Sequence, residues 1–412
     1  MTRAMKDSGI EWIGQIPENW NVKKNKYDIK YIKGKNPANT NIDGIGSPYI
    51  GASDLDSQRD YELFTTDDIP ACQVDDILIL WDGARAGLIG RNHQGKIAST
   101  VTKLEISSNI CSPFFYWYLK GFEKFLADMV GGTTIPHMSR KYIEDIFFLT
   151  IPYTEQQKIA DYLDKRCEKI DTAIDNQKQI IEKLKEYKQS LITETVTQGL
   201  NPNVKLKDSG IEWIGSIPEH WKIRKLSRLF KERKCKNTGM KEHNVLSLSY
   251  GKIKKRDIEN NMGVLPESFE TYNIVIPGNI VLRLTDLQND HRSLRTGLVK
   301  EVGIITSAYV TMERIMDIDE DYYHKLLHAF DIMKGFYNMG DGVRQSLKFN
   351  ELNKLLLPQP PLSEQKEIAE YLDKKCNQID KAIKEKEETI NKLEEYKKSL
   401  IFECVTGKKE VS

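Results

Sequence analysis

Thr154-Glu-Gln-Gln-Lys-Ile-Ala-Asp-Tyr-Leu-Asp164 opens a stretch that closes on Glu186-Tyr-Lys-Gln-Ser-Leu-Ile-Thr-Glu-Thr-Val-Thr197. Nearly the same text returns as Ser363-Glu-Gln-Lys-Glu-Ile-Ala-Glu-Tyr-Leu-Asp373 and Glu395-Tyr-Lys-Lys-Ser-Leu-Ile-Phe-Glu-Cys-Val-Thr406. Aligned over Thr154–Gln198 and Ser363–Gly407, 25 of 45 positions are identical, which means an internal duplication. In the first copy Ala160, Leu163, Cys167, Ile170, Ile174, Ile181, Leu184 and Leu191 fall at steps of four and three. In the second, Ala369, Leu372, Cys376, Ile379, Ile383, Ile390, Leu393 and Leu400 repeat the pattern. A seam of a and d positions over several heptads predicts a coiled coil. Its polar entries, Gln177 with Lys188 and Lys386 with Lys397, cost stability but fix register. Each helix is ~60 Å long at about 1.5 Å per residue. Thr154 with Gln157 reads as an N-terminal capping box.

A second repeat lies outside the helices. Lys6-Asp-Ser-Gly-Ile-Glu-Trp-Ile-Gly-Gln-Ile-Pro-Glu-Asn-Trp20 recurs as Lys207-Asp-Ser-Gly-Ile-Glu-Trp-Ile-Gly-Ser-Ile-Pro-Glu-His-Trp221, with two of 15 positions changed. Trp12, Trp20, Trp213 and Trp221 read as docking or core anchors. A base-stacking role is the weaker alternative, because the two copies are so alike. Gln198–Lys207, with Gly199 and Pro202, is a linker. The expected organisation is therefore a globular domain over 1–152 with its arm at 6–20, a helix over 153–200, a second domain over 201–360 with its arm at 207–221, and a helix over 361–412.

With 39% apolar residues the 412-residue chain has the means for real cores. It holds no run of 18 apolar residues, and its first residues lack the apolar region of a signal peptide. Six scattered cysteines, without a CxxC pair, suggest a reducing cytoplasm and no disulfide framework.

The net charge of +1 hides a segregation. Lys23–Ser53 is basic and includes Lys33 and Lys35, whereas Asp43–Asp82 carries ten acidic residues against Arg59 alone. That pattern predicts one positive and one negative side. Ile77–Leu80 reads as a strand leading into the Gly-rich turn Trp81–Gly87, which carries Arg85, with Arg91 just beyond. Ser112–Leu126 reads as a helix, the segment 131–141 as a loop holding Thr133, Thr134, His137, Arg140 and Lys141, and Ile146–Ile151 as a strand. In the second insert Lys222–Arg256 holds 13 Lys/Arg against two Glu, interleaved with Phe230, Tyr250 and Gly251. Its candidate DNA contacts are Arg233, Lys234, Lys236, Lys252, Lys254, Lys255 and Arg256. Ile274–Leu284 reads as a strand pair around Pro277-Gly278, and Tyr322–Met333 as a helix. The polar loop after Asp286 adds Arg292 and Arg295, and the loop 340–348 adds Arg344, Gln345 and Lys348. Gly87-Leu-Ile parallels Gly297-Leu-Val, but few side chains of the inserts agree.

Connectivity fixes the helix direction. A domain near 150 residues has a radius of gyration of ~15 Å and sits between the end of one helix and the start of the next. An antiparallel pair brings those points together; a parallel pair puts them a helix length apart. The expected fold is α+β: two globular domains on two long antiparallel helices, with approximate two-fold symmetry. Two unlike basic readers held apart in this way suit double-stranded DNA with an asymmetric, two-part site.

No catalytic signature accompanies this frame. There is no GxxxxGK[ST] loop, no adenosylmethionine turn, and no Asn/Asp-Pro-Pro-aromatic motif. Glu364-Gln-Lys366 has a nuclease-like spacing but lacks an upstream Pro-Asp. His324 and His328 are one helical turn apart, yet Lys325 replaces the glutamate of a zinc HExxH site. The chain reads as a recognition protein with no cofactor or metal of its own.

The paired Ile-Glu-Trp-Ile-Gly and Glu-Gln-x-x-Ile-Ala-x-Tyr-Leu-Asp signatures, each followed or preceded by a variable insert, closely resemble the specificity subunit of type I restriction–modification systems. The resemblance covers nearly the whole chain. It implies two target-recognition domains and a coiled coil that sets half-site spacing. It also implies two modification subunits that carry adenosylmethionine and methylate adenine N6. Two restriction subunits driven by ATP and Mg would complete the enzyme. Trp81–Gly87, Gly131–Lys141 and Gly340–Lys348 resemble the family's reading loops, whereas Leu284-Thr-Asp286 departs by lacking the following glycine. The competing readings are a stand-alone two-headed DNA-binding regulator and a scaffold that never touches DNA.

Overall fold

A computed structural model of the chain describes residues 3–24, 29–56, 60–130, 136–144, 147–256, 268–287, 294–337, 339 and 346–411. It divides into two compact units, residues 1–178 with 387–412 and residues 179–386. These differ from the expected domains, because each boundary falls inside a long helix, Tyr153–Gln198 or Leu362–Val405. Neither boundary carries a breaker residue; it marks where one set of packing partners gives way to another.

In the first unit the repeated arm is a small hairpin, Met5–Asp7 against Gln15–Pro17. Asn21–Lys24 then pairs antiparallel with Phe147–Thr150, so the first and last strands of the insert close it like a clasp. Inside lie two four-stranded sheets. One runs Ile29–Lys33, Val101–Ile106, Ile77–Leu80, Ile89–Gly90 in spatial order; the other runs Phe64–Thr65, Ser47–Ile50, Gly95–Ile97, Ala71–Cys72. All four residues of Ile77–Leu80 are buried. Because alternate side chains leave opposite faces, Ile77 and Ile79 enter the large core while Leu78 and Leu80 enter a smaller one beyond the sheet. The expected helix Ser112–Leu126 is two helices, Ser112–Gly121 and Glu123–Val130.

The second unit repeats this plan with other side chains. Its arm pairs Leu206–Asp208 with Ser216–Pro218, and Lys222–Lys225 pairs with Leu356–Gln359. The central sheet runs Phe230–Glu232, Val310–Arg314, Ile280–Leu282, Thr296–Leu298. Ile280 and Leu282 face the large core and Val281 the small one. The strands around Pro277-Gly278 do not pair with each other: Asn273–Val275 joins Gly303–Ile305, while Ile280–Leu282 joins Thr296–Leu298 and Val310–Arg314. Helix Glu320–Ile332 is capped by Asp319, whose side chain accepts from the Tyr322 amide at 2.8 Å.

Each unit contains one segment of each long helix. In the first, Asp171 meets Lys397 at 2.6 Å, and the core joins Leu163, Cys167 and Ile170 to Leu400 and Cys404. In the second, Lys188 meets Asp380 at 2.6 Å, and Ile192 and Val196 share a core with Leu372 and Ile368. One chain number rises as the other falls, so within each unit the two segments run antiparallel. The polar seam positions Lys188 and Lys397 thus have carboxylate partners.

Leu163, Ile170, Ile174, Ile181, Leu372, Ile379 and Leu400 are buried. Leu184, Leu191, Ile383, Ile390 and Leu393 are half-buried. Towards the ends the buried stripe widens to neighbouring pairs, Ile159 with Ala160 and Leu400 with Ile401, and Ile192 is buried more deeply than Leu191. There the helices pack on a globular core as well as on each other, which a two-position heptad does not describe.

The capping box expected at Thr154 is replaced by other contacts. The helix starts at Tyr153 and the Pro152 carbonyl accepts from the Glu155 and Gln156 amides. Both long helices end in a left-handed glycine, Gly199 at φ +78 and Gly407 at φ +70, the usual device for closing a helix. Each packs on its unit's arm: a Cβ on Gly199 would stand 3.1 Å from Trp221, and one on Gly407 2.9 Å from Trp20. Trp20 and Trp221 are fully buried, as anchors should be, and a stacking role on bases is closed to them. No helix among the described residues is long and apolar enough to cross a membrane.

Candidate nucleic-acid interface

In the first unit two of the segments singled out by sequence come together. The Met138 amide donates to the Trp81 carbonyl at 2.7 Å and the Gly83 amide to Pro136 at 3.1 Å. This clasp brings His137 Nδ1 against the Asp82 carboxylate, and Lys33 reaches the same carboxylate at 3.2 Å. Arg140 lies over the Tyr31 ring at 5.3 Å, and Tyr31 meets Trp81 edge-on at 6.0 Å. The Tyr31 hydroxyl is buried without a hydrogen-bond partner, and burial pushes its pKa well above that of a free phenol. Lys33, Lys35, His137, Arg140 and Lys141 are all exposed. The result is a cationic surface on a rigid aromatic floor, with Asp82 as its hub. Sequence reading passed over Asp82 and Tyr31, although Asp82 lies in the very turn it singled out.

Two arginines of that unit play other parts. Arg91 pairs with Asp164 at 2.5 Å and lies over Tyr116, with only 9% of its side chain exposed. These contacts fasten the insert to the long helix. Arg85 is exposed but held by Asp56 at 2.5 Å and the Ala52 carbonyl at 2.6 Å. Four of the ten acidic residues of the stretch 43–82 meet cations among the described residues. Asp56, Asp68, Asp76 and Asp82 pair with Arg85, Lys96, Lys103 and Lys33, so the charges interleave.

The second unit has the same clasp, since the Leu347 amide donates to the Leu284 carbonyl at 2.9 Å. Leu284-Thr-Asp286 therefore occupies the place of Trp81-Asp82, and Asp286 takes a left-handed φ of +57. Arg295 is fully buried and holds this loop from below. Its guanidinium donates to the carbonyls of Arg283 at 3.1 Å, Thr285 at 2.8 Å and Asp286 at 3.3 Å. It also donates to the Tyr337 hydroxyl at 3.2 Å. Arg295 is thus a scaffold for the loop, and its expected DNA contact is corrected.

Part of the basic run is also structural. Arg233 and Lys231 grip Glu313 at 2.7 and 3.0 Å, and Arg233 holds that carboxyl below its usual range. Lys234 pairs with Glu232 at 2.8 Å, and Lys236 donates to the Thr271 carbonyl at 2.8 Å. Lys252, Lys254 and Lys255 differ: they lie exposed on a two-stranded ribbon and have no ion-pair partner among the described residues. Arg256 is half-buried at its base, and its amide closes on Val245 at 2.8 Å. Lys348 is exposed at the start of helix Phe349–Leu352. Thr133, Thr134, Arg292, Arg344 and Gln345 lie outside the described residues.

The nuclease-like spacing at Glu364 has a structural explanation. Trp221 and His220 both bond the Glu364 carboxylate, and Gln365 is buried, bridging the Asp319 amide and the Pro360 carbonyl at 2.8 Å each. Trp20 with Glu155, and Gln156 between the Cys111 amide and the Ile151 carbonyl, repeat the arrangement. His324 and His328 lie 6.1 Å apart. Burial and neighbouring cations push them down to about 3 and about 4. No third ligand joins them: among the described residues no three His, Cys, Asp or Glu side chains are grouped to hold a metal ion.

A family model for the type I restriction modification DNA specificity domain matches residues 17–186 and again 218–394. The type I restriction enzyme MjaVIII specificity subunit of Methanocaldococcus jannaschii is 30% identical over 415 residues, spanning 96% of this chain and 94% of that protein. The putative MjaX specificity subunit of the same organism is 25% identical, spanning 96% and 95%. Among solved structures, a chain from a study of complex assembly and conformational transition of the type I R-M system superposes with a TM-score of 0.68. It is 13% identical, and the match covers 95% of this chain and 98% of that one. The HsdS subunit from Thermoanaerobacter tengcongensis gives 0.50 at 14% identity, covering 95% and 98%. At those identities the structural matches speak for the fold alone.

Proposed function

This chain belongs to the type I restriction modification DNA specificity family, and from that membership we propose that each of its two units reads one half of an asymmetric, two-part target in duplex DNA. The observation that carries this reading is a contrast between frame and insert. The frames match bond for bond: Trp20 to Glu155 as Trp221 to Glu364, and Asp171 to Lys397 as Asp380 to Lys188. The readers do not match. One offers Lys33, His137 and Arg140 around Asp82 and Tyr31, and the other offers a lysine ribbon. Equal readers in a duplicated frame would select a palindrome; unlike readers select two different half-sites.

The two long helices act as an antiparallel coiled coil and set the spacing between the half-sites. The antiparallel ion pairs within each unit support this. Lysines and arginines neutralise phosphates, while hydroxyls and amides read base edges. Methyl transfer and cleavage belong to partners. Two modification subunits bring adenosylmethionine, and two restriction subunits bring ATP and Mg, in the cytoplasm where the DNA is. The outer faces of the helices are their docking surface, and Tyr187 and Tyr396 stand exposed there at equivalent repeat positions. Family membership sets aside both a stand-alone regulator and a scaffold without DNA contact.

The test is to map methylated adenines in DNA exposed to this chain together with its modification partner. A two-part asymmetric site is expected. Exchanging residues 222–358 for the corresponding insert of a relative should change one half-site and leave the other and the spacing as they were. A change in both half-sites would overturn the assignment of one unit to one half-site.

A further inference from the structure

The ribbon of the second unit has two faces of opposite character. Leu246–Ser249 pairs antiparallel with Lys252–Lys255, placing Ser249 opposite Lys252 and Ser247 opposite Lys254. Alternate residues share a face. Leu248 and Ile253 lie on Gly297, close enough that a Cβ there would stand 2.6 and 2.9 Å from their methyl groups. Leu246 is buried in the small core. Ser247, Ser249, Lys252 and Lys254 therefore turn away from the domain.

The tip is built to display one side chain. Tyr250 and Gly251 form the two-residue turn with φ of +48 and +74, the left-handed geometry that suits Asn-Gly and opposes a bulky residue. Gly251 is pinned inward, since a Cβ on it would stand 3.2 Å from His328 and 3.3 Å from Leu294. Tyr250 is thrown outward and is 82% exposed. A large aromatic ring held in an unfavoured conformation, in water, beside lysines that have no ion-pair partner among the described residues, is explained by a ligand that receives it.

We infer that this ribbon is the element by which the second unit enters the major groove, with Tyr250 contacting bases of one half-site and Ser247 and Ser249 the base edges beside it. The inference rests on the reading of the chain as a DNA specificity subunit. A two-stranded ribbon fits that groove, and Lys252 and Lys254 reach the flanking phosphates.

The test uses the complex of the full chain with its modification partner and duplex DNA carrying the mapped site. Tyr250→Asn suits the turn better than tyrosine and leaves the thermal midpoint unchanged or higher. It lowers affinity for the site by about tenfold or more, and it erases the penalty for base changes in one half-site while those in the other keep their cost. Ser249→Ala, which leaves the turn untouched, relaxes discrimination in the same half-site. Affinity and both penalties within about twofold of the parent would overturn the proposal. So would an equal loss on every DNA, which would mark a phosphate contact, or a fall in the midpoint together with lost binding, which would make Tyr250 a structural turn residue. A parent complex that binds no specific DNA would overturn the underlying reading instead.

Discussion

The indole N–H of Trp221 donates to the Glu364 carboxylate across 2.8 Å, tying the second arm to the first turn of the second long helix. Trp221 is fully buried, so its donor has no water to turn to when the acceptor is removed. The same bond joins Trp20 to Glu155 at 3.3 Å. An arm repeated almost letter for letter is thus explained as a latch, and the near-identity of the two copies follows from a partner that is repeated too.

Trp221→Phe should therefore cost the full chain about 1–3 kcal/mol, combining a lost bond to a charged acceptor with a smaller ring. Chemical denaturation measures the loss. A double-mutant cycle with Glu364→Ala should return a coupling of about 1–2 kcal/mol; additivity would mean that the bond contributes nothing.

Arg295 should behave unlike the surface arginines with which it was first grouped. Arg295→Met leaves the carbonyls of Arg283 and Thr285 without their donor in a dry site. Buried carbonyls that lose their donor in this way put the expected loss at about 2–4 kcal/mol. Arg85→Ala, exposed and paired with an equally exposed Asp56, should cost under about 1 kcal/mol. Equal losses for the two variants in parallel urea titrations would refute the buried-scaffold role.

That contrast shows what a single sequence discloses. The duplicated helices, the arms and the strand Ile77–Leu80 follow from spacing and repetition, which are local properties. The strand pair expected around Pro277-Gly278 does not form, because strand partners are chosen by tertiary packing, and the two flanking strands join different sheets. Arg91 looked like any loop arginine because its partner Asp164 is 73 positions away, and Arg295 did because its nearer partners are backbone carbonyls, which leave no mark in the sequence, while Tyr337 is 42 positions away. The basic run 222–256 was legible as charge but not as an alternation. Ser-Leu-Ser, Tyr-Gly, Lys-Ile-Lys is a hairpin signature once the turn pair is read as such.

Acid should weaken the second unit through His324 and His328. In the folded chain they stay neutral to about pH 3 and about pH 4, because burial and the nearby cations Lys325, Lys300 and Lys188 oppose their protonation. Unfolded histidines take up a proton near pH 6.5. Between those values the unfolded chain binds more protons, so this contribution is fully present above about pH 6.5 and is lost as the pH falls. Lowering the pH from 7 to 5 should remove about 2 kcal/mol for each histidine, about 4 kcal/mol for the pair. His328→Leu should flatten the dependence of the urea midpoint on pH. An unchanged slope in that variant would show that other groups carry it.

Tyr187 and Tyr396 give the last prediction. They are 56% and 53% exposed, sit in the same Glu-Tyr-Lys of the two repeats, and belong to different units. Neither side chain contributes much to folding, so Tyr→Ala at either position should shift the thermal midpoint by no more than a surface substitution does, about 0.5 kcal/mol in stability. Exposed tyrosines kept at both repeat positions suit a partner that binds twice, and aromatic anchors of this kind dominate such interfaces. Titration of the modification subunit into the chain, followed by mass measurement of the complexes, separates the cases. Each single variant should lose one high-affinity copy, weakened by about tenfold or more, and the double variant should lose both. If the double variant still binds two copies at the parental affinity, the docking face lies elsewhere on the helices. If one single variant removes both copies, the two sites are not the independent equivalents that the repeat implies.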